Sequence, residues 1–101
     1  MILYNVTVNV EGSIHDEWLH WMKQVHIPEV MQTGKFSDYK MFKILSRQED
    51  ETGVTYCIQY FAATMDDYFT YQTDFAPALQ RKTMDKYGEN IMAFRTLMEM
   101  V

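Results

Sequence analysis

The sequence predicts a single α+β domain over residues 1–101, of the ferredoxin-like βαββαβ class, with a four-stranded antiparallel sheet and two helices on one face. Two stretches of alternating apolar and polar residues, 2–10 and 54–62, are typical of strands. A stretch with helical spacing of apolar residues follows each of them. Right-handed crossovers in this order place the first and third strands at the centre of the sheet.

The first helix is predicted to run from Ile14 to about Val25. Ser13 occupies the N-cap position, and Asp16 follows three residues later as an acidic form of the capping box. The apolar stripe expected to face the sheet consists of Ile14, Trp18, Leu19, Trp21, Met22 and Val25.

Pro28 is expected to interrupt this helical stretch, because proline lacks an N–H group and moves the preceding Ile27 away from helical geometry. A second, short helical piece then begins at Pro28, and Gly34 ends it in a left-handed cap. The interruption leaves His26 at a place where backbone hydrogen bonding is weakest.

The second half of the chain repeats this pattern after two further strands. The second strand is predicted from Phe36 to about Arg47, and a charged hairpin turn follows it from Arg47 to Gly53. Thr64 caps the second helix, Pro77 kinks or splits it, and Gly88 ends it. The buried stripe of this helix is predicted to be Tyr68, Phe69, Gln72, Phe75, Ala76 and Leu79, and the last strand Ile91 to about Glu99.

Composition argues against several classes of function. The formal net charge of −5 speaks against a nucleic-acid partner, because binding to a phosphate backbone depends on clustered lysines and arginines. No apolar run approaches the roughly 20 residues of a membrane span, and the alternating N-terminus is unlike a signal peptide. A single cysteine, Cys57, cannot form an internal disulfide, which favours a reducing, cytoplasmic setting.

The two faces of the sheet are predicted to differ. If residues such as Tyr4 and Tyr56 pack beneath the helices, polar side chains occupy the opposite, open face. The predicted open-face set is Asn5, Thr7, Asn9, Cys57, Gln59 and Phe61, joined by Arg95 and by Tyr39, Met41 or Leu97. Such a face is either solvated or covered by a second copy of the chain, and its aromatics and methionines favour a homodimer that encloses a cavity.

Several stretches carry a resemblance to known proteins. They are YNVTVNV (4–10), HIPEV (26–30), TG (33–34), FAPAL (75–79) and AFRTL (93–97). With the W-x-x-W pattern of the first helix, the chain resembles the dimeric α/β-barrel superfamily. More closely, nearly all of it resembles a small bacterial domain-of-unknown-function family within or near that superfamily. The resemblance implies the fold and a homodimer but no particular reaction, since the superfamily includes monooxygenases, haem-degrading enzymes, isomerases and ligand-binding modules.

His26 is the leading candidate for chemistry. Beside a proline-interrupted helix end it can face a pocket and act as an acid, a base or a hydrogen-bond donor, because its ordinary pKa lies near physiological pH. The alternative is structural, with His26 capping free carbonyl groups at the helix end. The resemblance to haem-degrading members would require a ligand histidine in the second half of the chain, and no histidine follows His26.

No metal site and no cofactor are expected. On a helix that rises about 1.5 Å per residue, His15 and His26 lie about 16 Å apart, and His20 points to a different side. Arg95 lies mid-strand in the stretch FRTL (94–97) of the last strand, where a buried charge needs a partner. That partner is Glu11, Glu99, a second subunit or an anionic ligand, and the sequence leaves these alternatives open.

The leading functional prediction is a homodimeric small-molecule-binding or interaction module. The candidate ligand contacts are Asn5, Thr7, Trp21, Gln59 and Arg95. The alternative is a cofactor-independent small enzyme, monooxygenase-like or isomerase-like, that uses His26 for proton transfer. A purely structural dimer is a third class, in which changes on the open face disturb assembly alone.

Overall fold

The structure, a computed structural model, describes residues 1–46 and 50–101. Its strands are β1 (Ile2–Val10), β2 (Asp38–Lys43), β3 (Val54–Ala62) and β4 (Ile91–Glu99). Its helices are α1 (His15–Trp21), α2 (Ile27–Gln32), α3 (Met65–Thr70) and α4 (Ala76–Tyr87). Two π-helical turns, Met22–His26 and Tyr71–Phe75, join α1 to α2 and α3 to α4, so the chain has two helical stretches in the predicted order.

The four strands form one antiparallel sheet in the order β2-β3-β1-β4. The first and third strands are central, which is the arrangement that right-handed crossovers predict. The ferredoxin-like fold class is therefore confirmed. Within the described ranges, no helix is both long and apolar enough to span a bilayer.

The boundaries of the outer elements differ in part from the prediction. β2 begins at Asp38 and ends at Lys43, so it is shorter than expected, and positions 47–49 of the predicted strand end and charged turn lie outside the described residues. Ser13 lies within a 3₁₀ turn and makes no capping bond, so the predicted capping box is wrong. The cap at Thr64 is confirmed, since its Oγ1 accepts a hydrogen bond of 3.2 Å from the Asp67 N–H.

Pro28 does not break the first helical stretch. Ile27 keeps helical dihedrals (φ −60°, ψ −45°), and its N–H donates to the Met22 carbonyl five residues earlier. This wider π turn lets the chain remain helical next to a residue without an N–H group. The same device precedes Pro77, where the Ala76 N–H donates to the Tyr71 carbonyl. The predicted left-handed cap at Gly34 is confirmed by its φ of 75°.

The predicted buried stripes are wrong in places, and the π turns explain part of this. Each π turn inserts one residue into the helical period, so the buried face is shifted in the residues that follow. Val25, inside the first π turn, is 38% exposed, and Gln72, inside the second, is exposed as well. Phe69, which precedes the second π turn, is 54% exposed, whereas Tyr71, which is not in the predicted stripe, is 3% exposed. The remaining core lies between sheet and helices, with Trp18, Ile27, Ile58, Val10 and Val30 as its most completely buried large side chains.

The strand register decides which side chains share a face of the sheet. Val6 lies opposite Ile58 on β3 and opposite Arg95 on β4, so all three point toward the helices. The prediction that Arg95 belongs to the open face is therefore wrong. Alternation within one strand does not reveal how that strand pairs with its neighbour, and a shift of one residue exchanges the two faces.

The same register corrects three other assignments. Tyr39 and Met41 lie opposite Tyr60 and Ile58, and Leu97 lies opposite Tyr4, so they too are on the helix-facing side. The open face instead carries a set of large apolar side chains from the two outer strands, namely Phe42, Met92, Phe94 and Met98.

Candidate functional site

A cavity of about 180 Å³ lies between the helices and the helix-facing side of the sheet. Its floor comes from three strands: Tyr4, Val6, Val8, Ile58, Tyr60, Ile91, Ala93 and Arg95. Its roof comes from the two helical stretches: Trp18, Met22, His26, Val30, Tyr71, Gln80, Thr83 and Met84. Most of these side chains are apolar or aromatic, and a few polar groups interrupt them.

The two π turns contribute to this roof from equivalent positions. Met22 is the first residue of one π turn and Tyr71 is the first residue of the other, and both line the cavity. His26 is the last residue of the first π turn and also lines it. A π turn widens the helix locally and changes the direction of the side chains around it. The local widening before each proline therefore positions side chains around the cavity.

His26 is held between an aromatic ring and a hydroxyl group. The Trp21 ring stacks on its imidazole, with 5.3 Å between centroids and 24° between planes. His26 Nδ1 lies 3.4 Å from Thr83 Oγ1, and that hydroxyl donates to the Leu79 carbonyl at 3.3 Å. Because the Thr83 hydroxyl proton is directed at Leu79, its oxygen is free to accept a hydrogen bond from His26 Nδ1–H. In this tautomer of the neutral imidazole, Nε2 carries the lone pair. No described residue forms a hydrogen bond with Nε2.

Burial keeps His26 uncharged. Desolvation lowers the pKa of His26 from 6.5 to about 4. The Arg95 and Lys82 cations act in the same direction, and the Glu29 carboxylate opposes them. Glu29 is itself paired with Lys82 at 2.9 Å, so its effect on the imidazole is partly offset. At neutral pH the imidazole is therefore a hydrogen-bonding group without charge.

The lowered pKa of His26 predicts a pH dependence of stability. A histidine whose pKa is lower in the folded state than its ordinary value of 6.5 stabilises the fold fully above that value. The contribution is lost as the pH falls toward 4, by at most about 3 kcal/mol. Chemical denaturation between pH 7 and pH 4 should show wild type losing more stability than His26→Gln. His20→Gln, at an exposed position, is the control. Equal pH profiles for wild type and His26→Gln would contradict the assignment.

Arg95 is the charged residue of the cavity lining. It lies on the edge strand β4, is largely exposed, and has no carboxylate within 4.0 Å among the described residues. The expected pairing with Glu11 or Glu99 is therefore not formed. The guanidinium does lie near the Tyr4 hydroxyl, where its charge opposes the rise that burial causes in the pKa of Tyr4.

Buried tyrosines complete one end of the cavity. Tyr4, Tyr60 and Tyr71 are each at most 3% exposed and pack around Phe36, with ring centroids 4.8 to 6.1 Å apart. Burial raises the pKa of Tyr60 and of Tyr71. These phenols are therefore neutral at physiological pH, so they add hydroxyl groups to the site without adding charge.

A family model described as a domain of unknown function (DUF4286) matches residues 1–101. The chain belongs to this family. No curated protein matches the sequence of this DUF4286 member.

Solved structures share the fold of this chain. A putative antibiotic biosynthesis monooxygenase from Deinococcus radiodurans aligns with a TM-score of 0.72 at 10% identity, covering 100% of this chain and 93% of that one. An ethyl tert-butyl ether d (EthD) family protein from Bacillus halodurans gives 0.68 at 15% identity and covers 100% of both chains. SnoaB, a cofactor-independent oxygenase from Streptomyces nogalater, gives 0.64 at 8% identity, covering 98% and 91%. At these identities the similarity shows the fold alone.

The structure separates the predicted site residues of this DUF4286 member into two groups. His26 and Arg95 line one cavity, and Trp21 contacts His26 without lining it. Asn5, Thr7 and Gln59 are on the opposite face of the sheet. The sheet therefore lies between the two groups, and one ligand cannot contact both within a subunit.

The open-face polar residues form a small cluster of their own. Asn5 Nδ2 donates to Thr7 Oγ1 at 2.9 Å, and Thr7 Oγ1 lies 3.7 Å from Cys57 Sγ. Asn5 is 7% exposed, and its Oδ1 has no hydrogen-bond partner among the described residues. Reversing the amide would leave Nδ2 unpaired instead, so one polar atom of Asn5 lacks a partner in either orientation.

Three cavity residues on α4 were missed in the sequence. Gln80, Thr83 and Met84 lie one turn beyond the predicted buried stripe of the second helix. The helical spacing Ala76–Gln80–Met84 was the available signal, because residues four apart lie on the same face. Polar side chains on that continuation made it look solvent-facing.

The other histidines lie away from the cavity. His15 Nδ1 bonds to Asp16 Oδ1 at 2.9 Å, and its Nε2 lies 2.6 Å from the Tyr56 hydroxyl. Among the described residues there is no group of three or more histidine, cysteine or acidic side chains placed to hold a metal ion. His15 thus ties the start of α1 to the sheet.

Proposed function

We propose that the protein binds a small organic molecule in the cavity between its helices and its sheet. The observation that carries this proposal is a cavity of about 180 Å³ with apolar walls and a few converging polar groups. Ligand sites are typically concave, mostly apolar and oriented by a small number of polar side chains. An apolar protein cavity of about 150 Å³ accepts a single benzene ring, so the expected ligand is about the size of one aromatic ring.

The low pKa of His26 favours a role in ligand binding over a role in proton transfer. A general base works best with a pKa near the operating pH, whereas the pKa of His26 is about 4. That difference of roughly three units from neutrality makes the imidazole a weak base in the unliganded protein. Its neutral Nε2 is, however, well suited to accept a hydrogen bond from a ligand hydroxyl.

A cofactor-independent enzyme is the second candidate function. The observation in its favour is that His26 lines the cavity and that its Nε2 has no hydrogen-bond partner among the described residues. The fold is shared with a cofactor-independent oxygenase, although likeness of fold does not transfer a reaction. In this alternative a ligand that raises the pKa of His26 would turn the imidazole into an effective proton acceptor.

Calorimetric titration with phenol, a neutral single-ring probe, tests the binding proposal. Ala93 lines the cavity from the exposed edge strand, so Ala93→Phe should fill the entrance without damage to the core. We expect wild type to bind phenol and Ala93→Phe to bind it at least about tenfold more weakly. Ala78→Phe, on the exposed side of α4, is the matched control and should bind as wild type does. Equal affinity in both variants would contradict the proposed location.

The proposed assembly is a homodimer formed through the open faces of two sheets. Phe42, Met92, Phe94 and Met98 are 50%, 74%, 62% and 39% exposed on that face. Exposed apolar surface of this kind favours association, and the unpaired amide atom of Asn5 at its centre would gain a partner. A cytoplasmic setting is also proposed, on the basis of the single free thiol of Cys57.

A further inference from the structure

Building on the proposed binding function, we infer that the ligand is a small organic monocarboxylate whose carboxylate is bound by Arg95. Its apolar body, about the size of one ring, occupies the space between Val6, Ile58 and the helices. The inference rests on the charge of Arg95, on its position, and on the lack of a carboxylate partner for it among the described residues.

The charge of the cavity lining is unbalanced. Arg95 is the one formally charged side chain among the described lining residues, and no aspartate or glutamate lines the cavity. No carboxylate in the described part of the chain lies within ion-pair distance of the Arg95 guanidinium. Its nearby polar neighbour is the hydroxyl of Tyr4, which burial keeps neutral. The site therefore carries one positive charge that an anionic ligand would neutralise.

The position of Arg95 matches a ligand with a charged end and an apolar body. Arg95 is exposed on the edge strand, and it lies directly opposite Val6, which in turn pairs with Ile58 in the interior of the sheet. The guanidinium thus stays hydrated at the entrance while its neighbours line the apolar interior. The planar guanidinium fork also fits a carboxylate with two parallel hydrogen bonds.

Attraction of the anion must be local. The whole chain has a formal net charge of −5, which repels anions at a distance. Recognition of a carboxylate therefore depends on Arg95 itself, and its removal should abolish the preference for an anion. One substitution at Arg95 is therefore enough to test for carboxylate recognition, because no other lining residue can substitute for that charge.

His26 supplies an independent signal of carboxylate binding. The Arg95 and Lys82 cations both lower the pKa of His26, and the Glu29 carboxylate raises it. The other two neighbours of the imidazole, Trp21 and Thr83, carry no charge. A carboxylate bound to Arg95 cancels part of this effect. The pKa of His26, followed by NMR of the imidazole protons, should therefore be higher with a carboxylate probe bound than with its neutral amide bound, since both probes desolvate the imidazole alike.

Three probes of nearly equal shape test the inference: benzoate, neutral benzamide and benzylammonium. We expect calorimetry to show benzoate binding to wild type at least about tenfold more tightly than benzamide, with benzylammonium weakest. Arg95→Gln should bring benzoate and benzamide to similar affinity. Arg81→Gln, which removes an exposed arginine on α4 outside the cavity, is the matched control and should keep the preference.

The possible outcomes distinguish a failure of the carboxylate inference from a failure of the proposed binding function on which it rests. Equal binding of the three probes, or a benzoate preference that survives in Arg95→Gln, overturns the carboxylate inference and leaves the binding proposal standing. Failure of every probe, phenol included, overturns both. If Arg95→Gln does not fold, the inference is tested by the order of probe affinities in wild type and by the pKa of His26 with benzoate bound. A ranking without preference, or a pKa of His26 that is no higher with benzoate bound than with benzamide bound, then overturns the inference.

Discussion

Replacing Trp18 with alanine is expected to lower the free energy of unfolding by about 3 to 5 kcal/mol. Trp18 is 0% exposed, and its ring lies 5.3 Å from that of Tyr56, between the first helical stretch and the sheet. The substitution removes the apolar contacts of the largest core side chain and leaves a void that its rigid neighbours fill only in part. Urea denaturation measures the loss.

The control for this prediction is Trp21→Ala, three residues further along the same helix. Trp21 is only half-buried and contacts the rings of His26 and Tyr87. We expect a loss of about 1 to 2 kcal/mol there, because less apolar surface returns to water. A larger loss at Trp21 than at Trp18 would contradict the described packing.

Phe94→Glu is expected to convert the proposed homodimer into a monomer. Phe94 is 62% exposed on the open face, and a two-fold interface contains each substitution twice. A central aromatic residue contributes about 2 kcal/mol or more, so two copies amount to about 4 kcal/mol. This corresponds to an increase of about a thousandfold in the dimer dissociation constant. Native mass spectrometry and sedimentation velocity at micromolar concentration measure the change.

Phe69→Glu is the matched control for the assembly prediction. Phe69 is 54% exposed, but it lies on α3, in the helical layer that covers the other face of the sheet. The variant should therefore assemble as wild type does. A monomeric wild-type protein, or dissociation by Phe69→Glu as well as by Phe94→Glu, would show that the open face is not the interface.

Most of the fold could be predicted because its signals are local. Alternation identified β1 and β3 with their observed ends, Thr64 marked a helix start, and Gly34 marked a helix end. The two π turns were not predictable in this way, since their hydrogen bonds span one residue more than an α-helix without any distinct composition. The shift that they introduce exposes Val25, which regular helical spacing predicts to be buried.

The site was predictable only in part, because it depends on contacts between distant segments. His26 was identified from its own neighbourhood, whereas the side of the sheet on which Arg95 lies depends on the pairing of β4 with β1. Gln80 and Thr83 enter the cavity from a helix whose polar residues resemble a solvated face. Side chains 54 to 69 positions beyond His26 in the sequence thus form one site with it, and no local pattern reveals that.

The separation of the two faces gives the molecule a clear division of roles. The helix-facing side holds the cavity with His26 and Arg95, while the open side holds the exposed apolar residues proposed for assembly. We therefore expect substitutions to alter the proposed ligand binding and the proposed dimer formation independently. Loss of the dimer in Phe94→Glu should leave the cavity of each subunit able to bind its probe.

The most direct test of the central claim is NMR of the methionine methyl groups during titration with phenol. Met22 and Met84 line the cavity, whereas Met92 and Met98 lie on the open face and act as internal controls. The proposed function predicts saturable shifts of the Met22 and Met84 signals, with Met92 and Met98 unchanged. Shifts confined to Met92 and Met98, or no shift at all, would contradict a ligand site between the helices and the sheet.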